Sequence, residues 1–296
     1  MSAPTAIPGT TSGEVSGALR GDMPGALPGG MPGTLRGDAL IGHTGFVGST
    51  LARAHAFGTR INSANTDDLR GKHFGLLVCA GVSAVKWLAN KEPEADRAGI
   101  ARLTDALAET TADEFVLIST VDVYPNPVEA ADEATPIDAA ANHAYGRHRL
   151  ELEEWVRGRF PKVHVIRLPA LFGEGLRKNA LYDLLHGNMV DSINPAGVFQ
   201  WYPLARLWDD IQVVRRAGLP LVNLVPEPLA MSRIIDGFFP GAPVGPAREP
   251  KPLYDLHTRH GALFTPGAPP HYMLGAGEVL EEMGRFIEAV RAGAAA

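Results

Sequence analysis

The sequence predicts a doubly wound α/β fold around a parallel sheet. Apolar segments of strand length recur along the chain, at 38–41, 59–63, 75–80, 115–119, 163–168 and 220–225. Helical patterns lie between several of these apolar segments, at 48–57, 94–109 and 144–157. This alternation is typical of strands joined by crossover helices. Several of the apolar segments are continuous, as strands of a sheet covered on both faces require. A last helical pattern, about 277–291, has one apolar face and is expected to dock on the core.

Composition narrows the classes of protein that are compatible with this chain. Its 296 residues are 45% hydrophobic and 20% charged, as in globular proteins. The net charge of −6 argues against nucleic acid as a partner. No apolar run approaches the roughly 20 residues of a membrane span, and no secretory signal is recognised, so a cytoplasmic protein is expected. The ten histidines lack ligand spacing, which predicts no metal site.

The domain organisation follows from the same patterns. Residues 1–37 are rich in Gly and Pro and contain echoing phrases such as Gly-Ala-Leu-Arg-Gly-Asp, so we expect a disordered tail. Residues 38–170 are predicted to form a nucleotide-binding domain. Residues 171–296 show fewer regular elements, and we expect them to build a smaller substrate-binding part that is interleaved with the sheet and covers its carboxyl edge.

A glycine-rich loop follows the first predicted strand. Residues 41–48 read Ile-Gly-His-Thr-Gly-Phe-Val-Gly and lead directly into a predicted helix. A strand that turns sharply into a helix needs glycine at the turn, where phosphates approach, and where the helix packs on the strand. The N–H groups at the start of such a helix favour an anion such as pyrophosphate. The loop therefore indicates a dinucleotide site, although glycines at this spacing also occur in ordinary loops.

Three later segments carry polar residues in positions that fit such a site. A buried strand at 115–119 delivers Ser119 and Thr120 at its carboxyl end. In the helix that begins near residue 144, Tyr145 and Arg149 are four apart and share one face. The strand at 163–168 leaves the sheet through Pro169.

With these segments in place, the chain from Asp38 onward resembles the extended short-chain dehydrogenase/reductase family, a Rossmann-fold group that includes nucleotide-sugar epimerases, dehydratases and reductases. The resemblance rests on Gly-x-x-Gly-Phe-x-Gly at 42–48, Ala80-Gly81, Ser-Thr-x-x-Val-Tyr at 119–124, Tyr-x-x-x-Arg at 145–149 and Arg-x-Pro-x-x-x-Gly at 167–173. It implies an NAD(P)-dependent enzyme that acts on a nucleotide-linked sugar. The residues that it assigns to the cofactor are Gly42, His43, Thr44, Gly45, Phe46, Val47, Gly48, Arg60, Asn62, Ala80, Gly81, Ser119, Tyr145, Arg149, Leu168 and Pro169.

The resemblance also implies catalytic roles. Tyr145 matches the general acid/base, and Thr120 matches the residue that hydrogen-bonds the same substrate oxygen. Asp122 falls where some dehydratases and reductases carry a further acid/base group, although it could equally cap a loop. His43 is expected to hydrogen-bond the local backbone rather than to catalyse.

Arg149 is the main departure from the family pattern. The family normally has a lysine there, which binds the nicotinamide ribose and lowers the pKa of the tyrosine. Arginine keeps the positive charge but is larger and planar, so it need not reach the same hydroxyls. This leaves an alternative function open: an NAD(P)-binding sensor or scaffold with weak or no catalysis.

The remaining expectations concern cofactor choice, substrate and assembly. The stretch after the second strand, 59–65, lacks the acid that usually holds an NAD ribose, and Arg60, Asn62 and Ser63 favour NADP over NAD. Arg177, Lys178 and Asn179 fall where the family often holds a substrate diphosphate, or they start a solvated helix. By analogy with the family, the helices at 94–109 and 144–157 could form a homodimer.

Overall fold

The computed structural model of the chain describes residues 37–127 and 130–293. The predicted tail at 1–37 therefore lies outside the described residues, apart from Gly37. The strands, in chain order, are β1 (Asp38–Ile41), β2 (Thr59–Ile61), β3 (His73–Cys79), β4 (Thr111–Thr120), β5 (Val163–Leu168), β6 (Ala170–Phe172), β7 (Val198–Phe199), β8 (Trp201–Pro203), β9 (Leu221–Asn223) and β10 (Leu229–Ala230). The helices are α1 (Phe46–Ala54), α2 (Lys86–Lys91), α3 (Pro93–Ala108), α4 (Ala144–Arg159), α5 (Ala180–His186), α6 (Leu207–Ala217), α7 (Met231–Phe238) and α8 (Ala276–Arg291).

Six strands form one parallel sheet in the order β2-β1-β3-β4-β5-β9. The chain leaves β1 to form β2 on one side and then returns to form β3 on the other side. The strand order therefore reverses between β1 and β3, which pair in the register Ile41 to Cys79. Ligands of open α/β sheets bind beside the carboxyl ends of the strands at such a reversal.

Alternating side chains of the central strands fill two separate apolar layers. On β1, β3 and β4, residues such as Leu40, Val78 and Val116 belong to one buried cluster. Their neighbours Ile41, Cys79 and Leu117 belong to another. Because successive side chains of a strand point to opposite faces, the sheet is covered on both sides, which explains why these strands are continuously apolar.

The fold class predicted from the sequence is confirmed. Each of the six predicted strands is present in the sheet, and each of the four predicted helices has a counterpart whose ends differ by at most three residues. Regular structure after residue 171 is more extensive than expected, because α5 and α7 are too short to show a clear apolar period. None of the helices in the described part of the chain combines the length and apolar composition needed to cross a membrane.

A cluster of charged residues at the amino end of the sheet predicts a pH-dependent stability. Burial would raise the pKa of Glu114, but hydrogen bonds from Arg215 (2.7 Å) and the nearby Lys162 ammonium (3.0 Å) lower it from 4.5 to about 2. A depressed folded-state pKa stabilises the fold above the unfolded value, and that stability is lost as the pH falls from about 4.5 to about 2. We expect the urea midpoint of the wild type to fall over this range and that of Glu114→Gln to fall less. If the urea midpoints of the two proteins fall equally over this pH range, Glu114 is not the source of the pH-dependent stability.

Candidate functional site

A cleft of about 1320 Å³ opens at the carboxyl edge of the sheet, at the reversal between β1 and β3. It is lined by residues that follow successive strands of the sheet. From the loops after β1 and β3 come Gly42, Thr44, Gly45, Ala80 and Gly81, and from those after β2, β4 and β5 come Asn62, Ser63, Thr120, Asp122 and Pro169.

The glycine loop has the close packing that its sequence predicts. Gly42 has φ = +87°, and a Cβ there would lie 2.4 Å from the carbonyl oxygen of Ala80. A Cβ on Gly48 would lie 2.0 Å from the carbonyl oxygen of Gly42, so only glycine lets α1 approach this closely. Gly45 precedes the first residue of α1 and meets nothing nearer than 3.4 Å. The loop therefore leaves a cradle at the start of α1 that fits a dinucleotide pyrophosphate.

Two of the residues assigned to the cofactor from this loop lie outside the cleft lining. His43 places its ring Nδ1 3.0 Å from the carbonyl oxygen of Ile61 and so links the loop to β2. Gly48 is buried beneath the loop. Thr44, Phe46 and Val47 do line the cleft.

Thr120, Asp122 and Tyr145 come together at one place in the cleft. The Thr120 side chain lies close enough to the Tyr145 phenol to lower its pKa. The Thr120 hydroxyl also accepts a hydrogen bond of 3.1 Å from the backbone N–H of Asp122, which starts the turn after β4. A phenol, a hydroxyl and a carboxylate thus face the same space and can exchange protons with a bound hydroxyl or carbonyl group.

The close approach of α4 to the turn after β4 places Tyr145. A Cβ on Gly146 would lie 2.1 Å from the carbonyl oxygen of Asp122, so glycine is needed there. The Asn142 amide donates to the carbonyl oxygens of Asp122 (3.0 Å) and Val123 (2.7 Å). The Tyr145 N–H donates to Asn90 Oδ1 at 2.9 Å, which joins the start of α4 to α2.

Burial and neighbouring charges set the protonation of Tyr145, which is 6% exposed. Burial raises its pKa and the Asp122 carboxylate raises it further, whereas the positive charges of Arg149 and Lys86 lower it. The net effect is a pKa above the ordinary value for tyrosine. Tyr145 is therefore protonated at neutral pH and can donate a proton.

Arg149 lies outside the cleft lining, although it is on the same helix face as Tyr145. Its guanidinium donates to both carboxylate oxygens of Asp96, at 2.5 and 2.8 Å, and to the carbonyl oxygens of Ser83 (2.7 Å) and Tyr145 (3.1 Å). Its Cζ lies 3.9 Å from the centre of the Tyr145 ring. Arg149 is 4% exposed, so it presents its charge to the ring and no donor to the cleft.

Lys86 is the cation that faces the cleft beside Tyr145. Its ammonium donates to Asp122 Oδ1 at 2.8 Å and to the Tyr254 hydroxyl at 3.3 Å. The Tyr254 hydroxyl in turn donates to Asp122 Oδ1 at 3.1 Å. Burial lowers the pKa of Lys86, but the Asp122 carboxylate more than offsets this and leaves it raised. Lys86 therefore stays charged.

The other predicted residues divide between the cleft and its surroundings. Ser119 points away, and its hydroxyl donates to buried Glu153 at 2.5 Å. Arg60 is exposed and, like Leu168, is absent from the cleft lining. Arg177, Lys178 and Asn179 line the cleft. Within that group the Asn179 side chain accepts a hydrogen bond from the Tyr182 N–H and so caps α5.

The sequence interpretation did not include Lys86, Asn90 or Tyr254. Lys86 follows Ala80-Gly81 by only a few residues, so a charged side chain soon after that motif was an available signal. Tyr254 offered none, because it comes from a Pro-rich stretch 168 residues from Lys86.

The segment that carries the polar residues of the cleft matches a known protein family. A model of the NAD dependent epimerase/dehydratase family matches residues 72–194, which contain Thr120, Asp122 and Tyr145. The glycine loop lies before that segment and is joined to it through the sheet. No curated protein sequence matches the chain.

Solved structures of nucleotide-sugar enzymes share the fold. TunA, an NAD dependent NDP-hexosamine 5,6-dehydratase involved in tunicamycin biosynthesis, is 16% identical with a TM-score of 0.66, over 86% of this chain and 97% of that one. The UDP-glucose 4-epimerase of Thermotoga maritima, solved with UDP-glucose, is 15% identical with a TM-score of 0.61, over 86% and 99%. The UDP-N-acetylglucosamine 4-epimerase of Methanobrevibacter ruminantium M1, in complex with UDP-N-acetylmuramic acid, is 10% identical with a TM-score of 0.67, over 88% and 99%. At these identities the likeness establishes the architecture, while function depends on the site.

Proposed function

We propose that this chain, which matches the NAD dependent epimerase/dehydratase family over residues 72–194, is an NAD(P)-dependent epimerase, dehydratase or reductase of a nucleotide-linked sugar. The observation that carries the proposal is the convergence of Thr120, Asp122 and Tyr145 on a cleft that begins at the glycine loop. Solved relatives of this fold bind UDP-glucose and UDP-N-acetylmuramic acid, which supports a nucleotide sugar as the substrate.

The cleft residues have distinct roles in the proposed reaction. Gly42, Gly45 and Ala80 cradle the dinucleotide, which supplies hydride transfer when it is bound. Tyr145 exchanges a proton with the substrate hydroxyl or carbonyl oxygen, and Thr120 holds that oxygen through a hydrogen bond.

Asp122 and two cleft residues from the loop between β6 and α5 complete the proposed substrate site. Asp122, which lines the cleft beside Tyr145, exchanges a proton with a neighbouring substrate carbon. Arg177 and Lys178 supply positive charge for the substrate diphosphate.

The proposed function is tested by measuring dinucleotide binding first and nucleotide-sugar turnover second. Calorimetry with NAD, NADP and their reduced forms should detect at least one tight complex. A panel of nucleotide sugars should then give turnover with the bound cofactor. A chain that binds none of the four dinucleotides would contradict the proposal.

We further propose that the site accepts NADP. The side chains after β2 that line the cleft include Asn62 and Ser63, and the carboxylate of Asp67, which also lines it, is paired with Arg70 at 3.0 Å. Neither Asn62 nor Ser63 repels a 2′-phosphate as a carboxylate would.

Cofactor preference gives a direct prediction for Asn62→Asp. A carboxylate there repels the 2′-phosphate of NADP and accepts a hydrogen bond from the ribose hydroxyl of NAD. We expect NADP affinity to fall about tenfold or more relative to that of NAD, since each tenfold corresponds to about 1.4 kcal/mol. Calorimetry measures both affinities, and Asn188→Asp, outside the cleft lining, serves as the control. An unchanged affinity ratio would place the ribose elsewhere.

The position of Arg149 supports a second candidate function, an NAD(P)-binding sensor or scaffold with weak catalysis. Its guanidinium presents no donor to the cleft, which is the task that the family's lysine performs. The variant Arg149→Lys separates the two candidates. A large gain in hydride transfer would favour the sensor or scaffold, whereas a loss would show that the arginine is used productively.

A further inference from the structure

Arg149 is buried and Lys86 is partly exposed in the cleft lining, so the two cations have different tasks. The Arg149 guanidinium donates hydrogen bonds to Asp96 and to the carbonyl oxygens of Ser83 and Tyr145. Its charge nevertheless lies against the Tyr145 ring, 3.9 Å from the ring centre. Arg149 can therefore influence the phenol, but it has no access to a molecule in the cleft.

Lys86 has the access that Arg149 lacks. A lysine ammonium has three N–H donors, and those of Lys86 reach two partners, Asp122 and Tyr254. Within the described part of the chain one donor has no partner and remains for a molecule in the cleft, where the side chain is 37% exposed. Both partners also line the cleft, so a ligand oxygen that approaches Tyr145 enters a space bordered by Lys86.

Contacts from α4 fix the segment that carries Lys86. Arg149 donates to the Ser83 carbonyl oxygen, three residues before Lys86. The Tyr145 N–H donates to the Asn90 side chain, four residues after Lys86. The segment is thus held at both ends by the helix that carries Tyr145, and the position of Lys86 relative to the phenol depends on Arg149.

We propose that Arg149 supplies the permanent positive charge behind Tyr145 as a positioning residue, while Lys86 donates a hydrogen bond to a hydroxyl or carbonyl oxygen of the bound molecule. The oxygen belongs to the cofactor ribose or to the substrate sugar. This inference rests on the proposed function, since it requires a ligand in the cleft.

The other charged groups around Tyr145 agree with this division. Asp122 faces the phenol from the turn after β4, and Lys86 faces it from α2. Their opposite charges are 2.8 Å apart, so their effects on Tyr145 largely cancel. His143, before α4, is kept neutral because burial and the charge of Lys86 lower its pKa. The charge that lies against the ring is that of the Arg149 guanidinium, which is paired with Asp96 and still lowers the pKa of the phenol.

Binding measurements test the part assigned to Lys86. Calorimetry on the whole chain would compare NAD, NADH and UDP-glucose for wild type, Lys86→Met and Lys86→Arg. We expect Lys86→Met to weaken at least one ligand by about 10- to 100-fold, the loss of one charge-assisted hydrogen bond, and Lys86→Arg to restore part of it. A loss confined to NAD and NADH identifies the ribose, and a loss confined to UDP-glucose identifies the sugar. The control Lys91→Met removes an exposed lysine of α2 that lies outside the cleft lining, and all three affinities should stay near wild type.

Titration of the phenol tests the part assigned to Arg149 without any ligand. Ultraviolet phenolate absorbance, taken as the difference from Tyr145→Phe, gives the midpoint for Tyr145, and circular dichroism verifies the fold over the same pH range. Because removal of Arg149 alone leaves the buried Asp96 carboxylate without its guanidinium partner, the variant is Asp96→Asn/Arg149→Gln. We expect its midpoint to rise by about one pH unit or more. The double variant Lys86→Met/Asp122→Asn removes both charges of a pair and should stay near wild type.

The outcomes separate the inference from the proposed function. If wild type binds a ligand and Lys86→Met binds all three equally well, the role of Lys86 is overturned while the proposed function stands. If wild type binds none of them, the proposed function fails and the role of Lys86 fails with it. An unchanged Tyr145 midpoint in Asp96→Asn/Arg149→Gln overturns the role of Arg149 in either case.

Discussion

Replacing Tyr145 by Phe should lower turnover by about 10²- to 10⁴-fold, because general acid–base transfer by a positioned side chain contributes about that much. The substitution removes the phenol oxygen, which lies near Thr120, and leaves the ring that packs against Arg149. Dinucleotide affinity should therefore stay within about twofold, since no cradle residue changes. Steady-state turnover with a nucleotide sugar that wild type converts, together with calorimetry of the cofactor, measures both quantities.

A matched substitution serves as the control for Tyr145→Phe. Tyr182 lies on α5, and its ring stacks on His186 away from the reacting groups. Tyr182→Phe should leave turnover near the wild-type value. If Tyr145→Phe retains full turnover, the phenol takes no part in the proton transfer, and the proposed mechanism is wrong.

Replacing Glu153 by Ala should lower the free energy of unfolding by about 3–5 kcal/mol, the usual effect of removing one partner of a buried ion pair. Glu153 is 0% exposed. Its carboxylate accepts hydrogen bonds from Arg167 at 2.6 Å and from Ser119 at 2.5 Å. Without it, the Arg167 guanidinium, also buried, is left without its opposite charge.

Urea denaturation at neutral pH measures the effect of Glu153→Ala. The neighbouring Glu154 is exposed, so Glu154→Ala should change the free energy of unfolding by no more than about 0.5 kcal/mol. A similar small change for Glu153→Ala would mean that Arg167 finds another partner. The ion pair lies behind β4, so its loss should act on stability rather than on cofactor choice.

The sequence predicted the sheet well because the signals involved are local. Continuous apolar runs mark β3 and β4, and the glycines of 42–48 mark a turn that the structure builds with φ = +87° at Gly42. The family resemblance that the motifs indicated is confirmed by the match over residues 72–194. These patterns act over a few residues, so a single segment is enough to reveal them.

The orientation of neighbouring polar residues was harder to predict. Ser119 and Thr120 both end β4, and alternation places them on opposite faces of the sheet. Glu153, which is 34 residues from Ser119 in the chain, accepts a hydrogen bond from the Ser119 hydroxyl. This contact decides which of the two faces belongs to the cleft. Arg149 shares a helix face with Tyr145, yet its donors are taken by Asp96, which is 53 residues away.

By itself, the sequence determined the doubly wound sheet, the glycine loop and the placement of Thr120 and Tyr145 at its carboxyl edge. Strand and helix periods and the steric freedom of glycine suffice for these features. The tertiary structure decided which cation faces the cleft, because that choice rests on partners far apart in the chain. Arg149 is bound to Asp96, and Lys86 meets Tyr254 across 168 residues. No local pattern encodes such distant pairings.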